Sequence, residues 1–135
     1  MRGFKKIKTQ GYEFQVSRGG RVIYTDGFHP ARELESVTRS NGYAYVSVPG
    51  KSFAVHRLVA QAFYNGGREL NRGMIVHHMN HVRDDNRASN IRLCANRKEH
   101  EWYHAMERKY FAWVATTERY ATFLETERAA WEAGL

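Results

Sequence analysis

A segment rich in histidine and asparagine lies in the middle of the chain, VHHMNHVRDDNRASNIRL at residues 76–93. His77 and His78 are adjacent, and Asn86 and Asn90 follow them closely. Hydrolysis of a phosphodiester requires deprotonation of a water while a cation offsets the charge that builds on the phosphate. A histidine with a pKa near neutrality can take the proton, and a few side chains can hold one divalent cation. The segment is therefore either a catalytic site or a polar surface loop.

The histidine pair follows a short apolar run, MIV at residues 74–76, which predicts a strand that carries both histidines at its end. Adjacent residues of an extended strand point to opposite sides. His77 and His78 can therefore perform two different tasks, one facing a metal and the other facing the water.

The elements before the pair are predicted from periodicity. A period of two predicts an antiparallel sheet of three or four short strands, in GYEFQVS, RVIYTD, GYAYVSV and SFAVH between residues 11 and 56. From His56 the period becomes helical, with one apolar stripe formed by Leu58, Val59, Ala62 and Phe63, and NGG at 65–67 ends the helix. The polar face of the sheet could lie in a DNA groove or could simply be solvated, and alternation leaves both open.

The tail is predicted to be helical from about residue 97, because neither glycine nor proline occurs from residue 74 to residue 133. A loose stripe runs along it, formed by Tyr103, Met106, Tyr110, Trp113, Tyr120, Leu124 and Trp131. Such a stripe is more often packing than function. It either folds back on the domain or pairs with a second copy of the chain.

The composition of the chain indicates what kind of molecule it binds, although it does not indicate a reaction. The 135 residues carry a net charge of +7, and 42% of them are apolar. Residues 1–100 hold 17 Lys and Arg against 8 Asp and Glu, whereas residues 101–135 hold 4 against 6. A basic, aromatic-rich domain favours a polyanion such as nucleic acid. No apolar run approaches the roughly 20 residues of a membrane span, and the basic start leads into no apolar segment of the kind found in a secretory signal. The lone Cys94 excludes an internal disulfide. We therefore expect a cytoplasmic protein.

Two motifs together resemble the HNH nuclease family, particularly its phage and intron-borne homing endonucleases: HRLVAQAF at 56–63 and the spaced His, Asn, Asn of residues 76–93. The resemblance covers residues 53 to about 96 well and the preceding sheet more loosely. It implies an α+β fold whose centre is two strands and a helix around one metal, the ββα-metal arrangement. The implied organisation is a DNA-binding antiparallel sheet at 1–55, a ββα-metal core at 56–96, and a helical tail for packing or dimerisation at 97–135.

The resemblance also implies roles for single residues. His78 matches the general base that activates the attacking water. Asn86, with Arg87, matches the middle asparagine that braces the loop, and Asn90 matches a metal ligand after the loop. His77 stands where these homing enzymes usually carry Asp, the first metal ligand.

The substitution at His77 bears on the metal. The implied cofactor is one divalent ion, Mg²⁺ or Mn²⁺, with Ni²⁺ or Zn²⁺ also compatible because imidazole is a softer ligand than carboxylate. Asp84 or Asp85 is close enough in sequence to supply a replacement carboxylate.

The remaining histidines and the basic residues have weaker signals. His56 is expected to be structural, and His81 either contacts a phosphate or decorates the surface. His100 and His104 have a metal-binding spacing, but without a third ligand nearby we expect them to be solvent-exposed. The residues expected to grip the DNA backbone are Arg83, Arg87, Arg92, Arg97 and Lys98 beside the site, and Arg21 and Lys51 on the sheet.

The function implied is a metal-dependent, homing-type endonuclease acting on double-stranded DNA, nicking as a monomer or cutting both strands as a dimer. A catalytically silent, sequence-specific DNA-binding protein on the same fold is one alternative. Another is a structural protein in which the histidines hold zinc and the tail oligomerises, which predicts metal-dependent folding without salt-sensitive DNA binding.

Overall fold

The structure is a computed structural model that describes residues 3–110 and 118–134. It confirms the predicted α+β class, with antiparallel sheets preceding the first helix. A four-stranded sheet has the order β1-β2-β3-β4, with β1 at Phe4–Thr9, β2 at Tyr12–Ser17, β3 at Val22–Thr25 and β4 at Arg32–Leu34. A three-stranded sheet has the order β5-β6-β7, with β5 at Val37–Thr38, β6 at Ala44–Val48 and β7 at Lys51–Ala54.

The prediction of three or four strands in one sheet between residues 11 and 56 was too low, since six strands of two sheets lie there and β1 precedes them. Strand β1 is not evident in the sequence because Lys6 and Lys8 make it look like a basic tail, although Ile7 and Thr9 alternate with them and are buried. Strands β4 and β5 span three and two residues with no buried side chain, so they carry no periodic signal.

Helix α1, Val55–Tyr64, covers both sheets and forms the main core with them. Leu58, Val59 and Ala62 of the predicted stripe are buried, and Phe63 packs at the margin. The helix ends at Tyr64 with Asn65 as its C-cap, at the predicted NGG stop of residues 65–67.

A second unit follows α1 and has the ββα order. Strand β8, Ile75–His78, pairs antiparallel with β9, Ile91–Cys94, and the register sets His77 opposite Arg92. A 3₁₀ turn at Ala88–Asn90 ends the loop between the strands, and helix α2, Arg97–Tyr110, packs against both strands. The strand therefore carries both histidines at its end, as predicted.

The tail folds back on the domain, one of the two predicted alternatives. Helix α3, Glu118–Glu132, packs its Tyr120 and Leu124 against Met79. Trp102, Tyr103, Met106, Tyr110 and Phe123 surround this cluster. Trp113 of the predicted stripe lies outside the described residues. None of the described helices combines the length and the apolar character needed to cross a membrane.

Candidate active site

The end of β8 forms the floor of a cleft of about 200 Å³. His77 and His78 are 3% and 6% exposed, and their side chains contact different neighbours on the two sides of the strand. The cleft is lined by Tyr43, Val76, His77, His78, His81, Arg83, His100 and His104. The structure thus separates the two histidines as the strand geometry predicts.

On one side, His78 Nε2 lies 2.9 Å from Asn86 Oδ1, and both residues are buried. The amide oxygen can only accept, so Nε2 carries the proton and Nδ1 carries the lone pair. Burial lowers the pKa of His78 below its ordinary value, although the hydrogen bond to Asn86 partly opposes this. His78 is therefore a neutral imidazole of fixed tautomer near pH 7, as a general base must be.

The loop that carries Asn86 is held from the N-terminal sheet and α1. Gly20 in the β2–β3 turn has φ +90°, and a Cβ there would lie 3.1 Å from the Asn86 carbonyl oxygen. Ala88 N donates to Arg18 O at 2.7 Å, and the Tyr64 hydroxyl donates to Ala88 O at 2.5 Å. The sheet and α1 therefore fix the acceptor that orients His78.

His56 supports this side of the cleft. Its ring centroid lies 5.4 Å from that of His78 and 4.8 Å from that of Tyr43. Burial lowers its pKa to about 3, so it stays neutral. Its side chain does not cap α1, whose N-cap residue is Ala54.

On the other side, His77 faces helix α2. Its ring stacks on Tyr103 at 5.4 Å between centroids, and ring nitrogens of His77, His100 and His104 all lie within 4.8 Å of one another. His104 Nε2 and His100 Nε2 are 3.3 Å apart. Two nitrogens at about 2.0–2.1 Å from one tetrahedral ion are separated by about this distance. The donor set therefore fits a divalent transition-metal ion.

The expectation that His100 and His104 are solvent-exposed for want of a third ligand was wrong. His77 is that third nitrogen, and both helix residues are only partly exposed. Burial lowers the pKa of each, and the nearby His77 lowers it further. Both are neutral near pH 7 and able to ligate.

A capped helix start sets this face of α2. Asn96 Oδ1 accepts from Glu99 N at 3.0 Å, which fixes the first turn. Residues four and seven positions apart then share one helical face, so His100, His104 and Glu107 all point towards β8. Glu107, 3% exposed, contacts His77 Nε2 through one carboxylate oxygen and His81 Nε2 through the other.

Glu107 stays ionised in this buried setting. Burial alone would raise its pKa, but the hydrogen bonds from His77 and His81 outweigh burial and lower it. His77, His81 and Glu107 form a second set of potential ligand atoms within 4.8 Å of one another.

Asn90, which was predicted to bind the metal, is surrounded by residues of its own loop. Its Nδ2 donates to Asn80 Oδ1 and to Asp85 O, both at 2.9 Å, and its Oδ1 accepts from Asn80 N at 3.1 Å. Asn90 is buried and does not line the cleft. These hydrogen bonds close the loop, which is the bracing task that the family pattern assigned to Asn86.

The two loop aspartates, Asp84 and Asp85, are bound by their own chain and do not line the cleft. Asp84 accepts from the Thr38 hydroxyl at 3.1 Å, and Asp85 is held by Arg87 and Asn80. Arg87 chiefly holds the pKa of Asp85 down, at about 2. In the described part of the chain, the carboxylate that lies close enough to His77 to share a metal ion with it is that of Glu107.

The seven basic residues expected to grip DNA differ in how firmly they bind their own chain, and all except Arg92 are exposed. Arg83 lines the cleft, donates to Asn41 O at 3.0 Å and is exposed. Arg97, Lys98 and Lys51 are also exposed. Three others are tied to neighbours: Arg87 to Asp85, Arg92 to the backbone oxygens of Ser89 and Ile91, and Arg21 to Glu33.

Sequence reasoning missed Glu107 and Tyr43 as site residues. Glu107 had a signal, because it continues the spacing of His100 and His104 on one face of a predicted helix. Tyr43 had none, since it reaches the cleft from the second sheet across a long stretch of chain.

Two strands and a helix around a histidine-lined cleft define a ββα module able to bind a metal ion. A family model described as HNH endonuclease matches residues 53–101. The chain is 35% identical over 95 residues to the DNA endonuclease I-HmuI of Bacillus phage SP01, and the alignment covers 66% of this chain and 50% of that relative. Residues 53–101 therefore form a module of the HNH endonuclease family, as the motifs indicated.

A solved structure described as "DNA binding and cleavage by the HNH homing endonuclease I-HmuI" has a similar fold, with a TM-score of 0.54 and 27% sequence identity. The similarity covers 78% of this chain and 59% of that one. The chain thus spans about half the length of the curated relative it matches.

Proposed function

We propose that the protein is a metal-dependent, homing-type DNA endonuclease that hydrolyses phosphodiester bonds of double-stranded DNA. The hydrogen bond from His78 Nε2 to Asn86 Oδ1 carries this proposal, because it leaves Nδ1 of a neutral imidazole as a base beside the cleft. The names of the matched relatives, which describe DNA binding and cleavage, support DNA as the substrate.

In the proposed reaction, His78 removes a proton from a water that attacks the phosphorus. Asn86 acts on His78 by holding its Nε2–H, and His56 and Tyr43 pack against the ring. Exposed Arg83 at the rim binds a phosphate oxygen and so positions the strand. One base serves one strand, so each protein molecule makes one nick.

We assign the metal ligands to His77, His100 and His104 instead of His77 and Asn90. A bound divalent cation would supply Lewis-acid stabilisation of the phosphate and the leaving oxygen. Imidazole donors favour Mn²⁺, Ni²⁺ or Zn²⁺ over Mg²⁺, which prefers oxygen ligands. The implied ion is therefore a transition metal.

The DNA surface is proposed to combine the cleft rim and the sheets. Exposed Arg83, Arg97 and Lys98 lie beside the cleft, and Lys51 lies on a strand end of the second sheet. Arg21, Arg87 and Arg92 would first have to leave their intramolecular partners, so we expect them to contribute less. We place the activity in the cytoplasm, that of the host cell if a phage encodes the protein.

The test is conversion of supercoiled plasmid by the purified protein in EDTA, Mg²⁺, Mn²⁺, Ni²⁺ or Zn²⁺, with DNA binding measured in parallel. The plasmid carries genomic DNA that flanks the gene. We expect metal-dependent open circles, with Mn²⁺ or Ni²⁺ more effective than Mg²⁺. Binding without cutting in any metal would instead identify a silent DNA-binding protein. Metal-dependent folding without salt-sensitive DNA binding would identify a structural zinc protein.

A further inference from the structure

Glu107 is a buried carboxylate that joins two histidines of different elements. Its two oxygens contact Nε2 of His77 on β8 and Nε2 of His81 in the loop. His104, one turn earlier on the same helix, has Nδ1 3.8 Å from the second oxygen. A carboxylate without such partners is costly to bury, whereas an apolar side chain would pack here without that cost. The arrangement therefore indicates a role beyond packing.

The contacts determine where the imidazole protons lie. A carboxylate oxygen accepts and cannot donate, so each contacting Nε2 carries the proton. In the neutral form of each imidazole, Nδ1 then carries the lone pair. Histidine ligands commonly donate their second ring N–H to a carboxylate, which fixes the tautomer and the ring orientation.

We propose that Glu107 is a positioning residue that selects Nδ1 of His77 as its metal-ligating atom and ties His81 to the wall of the cleft. The proposal rests on the proposed function only in requiring that His77 ligate a metal ion. It extends the site to a residue that touches neither DNA nor the reacting atoms.

The conformation of His81 supports the second part. His81 has φ +62°, a left-handed conformation that is uncommon for residues other than glycine. Its backbone N donates to His78 O at 3.1 Å, and its ring packs edge-on to His77 at 5.6 Å. The contact with Glu107 helps to hold the residue in this conformation, with its ring at the cleft although 45% of the side chain is exposed.

The first readout is the tautomer of each histidine, measured by ¹⁵N NMR on the full metal-free chain. We expect Nε2–H on both His77 and His81. In Glu107→Gln the amide offers one acceptor and one donor, so only one imidazole can keep its Nε2–H contact. At least one of the two histidines should then change tautomer or lose its contact, while Glu101→Gln, an exposed charge-matched control on the same helix, should change neither.

The second readout is metal affinity, measured by chelator competition with Co²⁺ and Zn²⁺. Loss of an outer-shell carboxylate typically weakens binding by roughly 10–100-fold, and we expect this for Glu107→Gln. The Co²⁺ absorption bands should keep their positions, since the ligands are unchanged. A changed Co²⁺ spectrum would mean that Glu107 is itself a ligand and would overturn the positioning role.

Other outcomes are equally decisive. Wild-type His77 protonated on Nδ1, or unchanged tautomers and affinity in Glu107→Gln, would also refute the proposal. If Glu107→Gln fails to fold, the tautomers of His77 and His81 in the wild-type protein still test the proposal. Neither readout uses DNA, so an absence of cleavage would count against the proposed function and not against this assignment.

Discussion

Adjacent histidines with separate tasks are the main feature at the scale of residues. His78 bonds Asn86 on one side of β8, and His77 meets α2 and Glu107 on the other. The alternation of a strand makes this separation unavoidable for neighbouring residues. A base and a metal ligand can therefore act on the same phosphate without competing for one position.

The tautomer of His78 should depend on an acceptor at residue 86. Asn86→Leu removes the acceptor at similar volume, and we expect the cleavage rate to fall roughly tenfold or more, equivalent to about 1.4 kcal/mol. Asn86→Asp keeps an acceptor oxygen and should retain more activity. Single-turnover cleavage with metal affinity measured alongside gives the comparison. Equal rates for both variants and the wild type would show that His78 does not need this partner.

Much of the residue-level site could be predicted from sequence, since the base position and the histidine before it follow from one motif. The metal ligands on α2 could not, because their meeting with His77 depends on how a helix packs on a strand about twenty residues earlier in the chain. The division of roles between Asn86 and Asn90 also required the loop conformation, since both are asparagines in one segment and only their hydrogen bonds differ.

At the scale of elements, the N-terminal sheet positions the catalytic loop as well as offering a surface. The β2–β3 turn approaches the loop closely at Gly20. The sheets themselves were predictable from alternation, but this contact was not, because glycine spacing does not reveal which loop a turn will meet.

Alanine substitutions at two glycines can distinguish the effect of a steric contact with the Asn86 loop from the effect of a positive φ angle. Gly20 and Gly11 both have positive φ, at +90° and +85°, but only at Gly20 would a Cβ meet neighbouring atoms within 4 Å. Gly20→Ala should therefore lose more stability than Gly11→Ala, by about 1–2 kcal/mol, and should also slow cleavage. Urea unfolding with plasmid cleavage measures both effects. Indistinguishable variants would mean that the turn does not brace Asn86.

Cys94 at the end of β9 should be chemically silent. It is fully buried, and burial raises the pKa of its thiol to about 12. The reactive thiolate is therefore scarce at pH 8, and we expect a disulfide reagent to label Cys94 only after unfolding. The raised pKa also means that ionisation of this group reduces stability only as pH rises from its ordinary 9.0 towards about 12. Rapid labelling of native protein at pH 8 would contradict the packing of β9.

At the level of the whole molecule, the distribution of charge indicates where DNA binds, and the packing of the tail indicates the oligomeric state. The excess of positive charge lies in the first hundred residues, where the cleft begins, and the tail is slightly acidic. In the described part of the tail, Trp102, Tyr103, Tyr110, Tyr120 and Phe123 pack in one cluster with Met79, so their apolar surface is used within one molecule.

We therefore expect a monomer that nicks. Five residues of the predicted dimer stripe, Tyr103, Met106, Tyr110, Tyr120 and Leu124, already pack against one another within one chain. Light scattering at micromolar concentrations should give one chain per particle, and cleavage should yield open circles before linear DNA. A stable dimer producing linear DNA directly would favour dimerisation through the tail.

The proposed site uses His78 as the base and His77, His100 and His104 as the metal ligands. The most direct measurement is the plasmid cleavage rate and the metal occupancy of the same samples, for wild type, His78→Ala and His100→Ala. We predict that His78→Ala binds metal like the wild type yet cleaves roughly 10²–10⁴-fold more slowly, whereas His100→Ala loses metal and cleavage together. Cleavage by His78→Ala at the wild-type rate, or full metal occupancy in His100→Ala, would contradict the account.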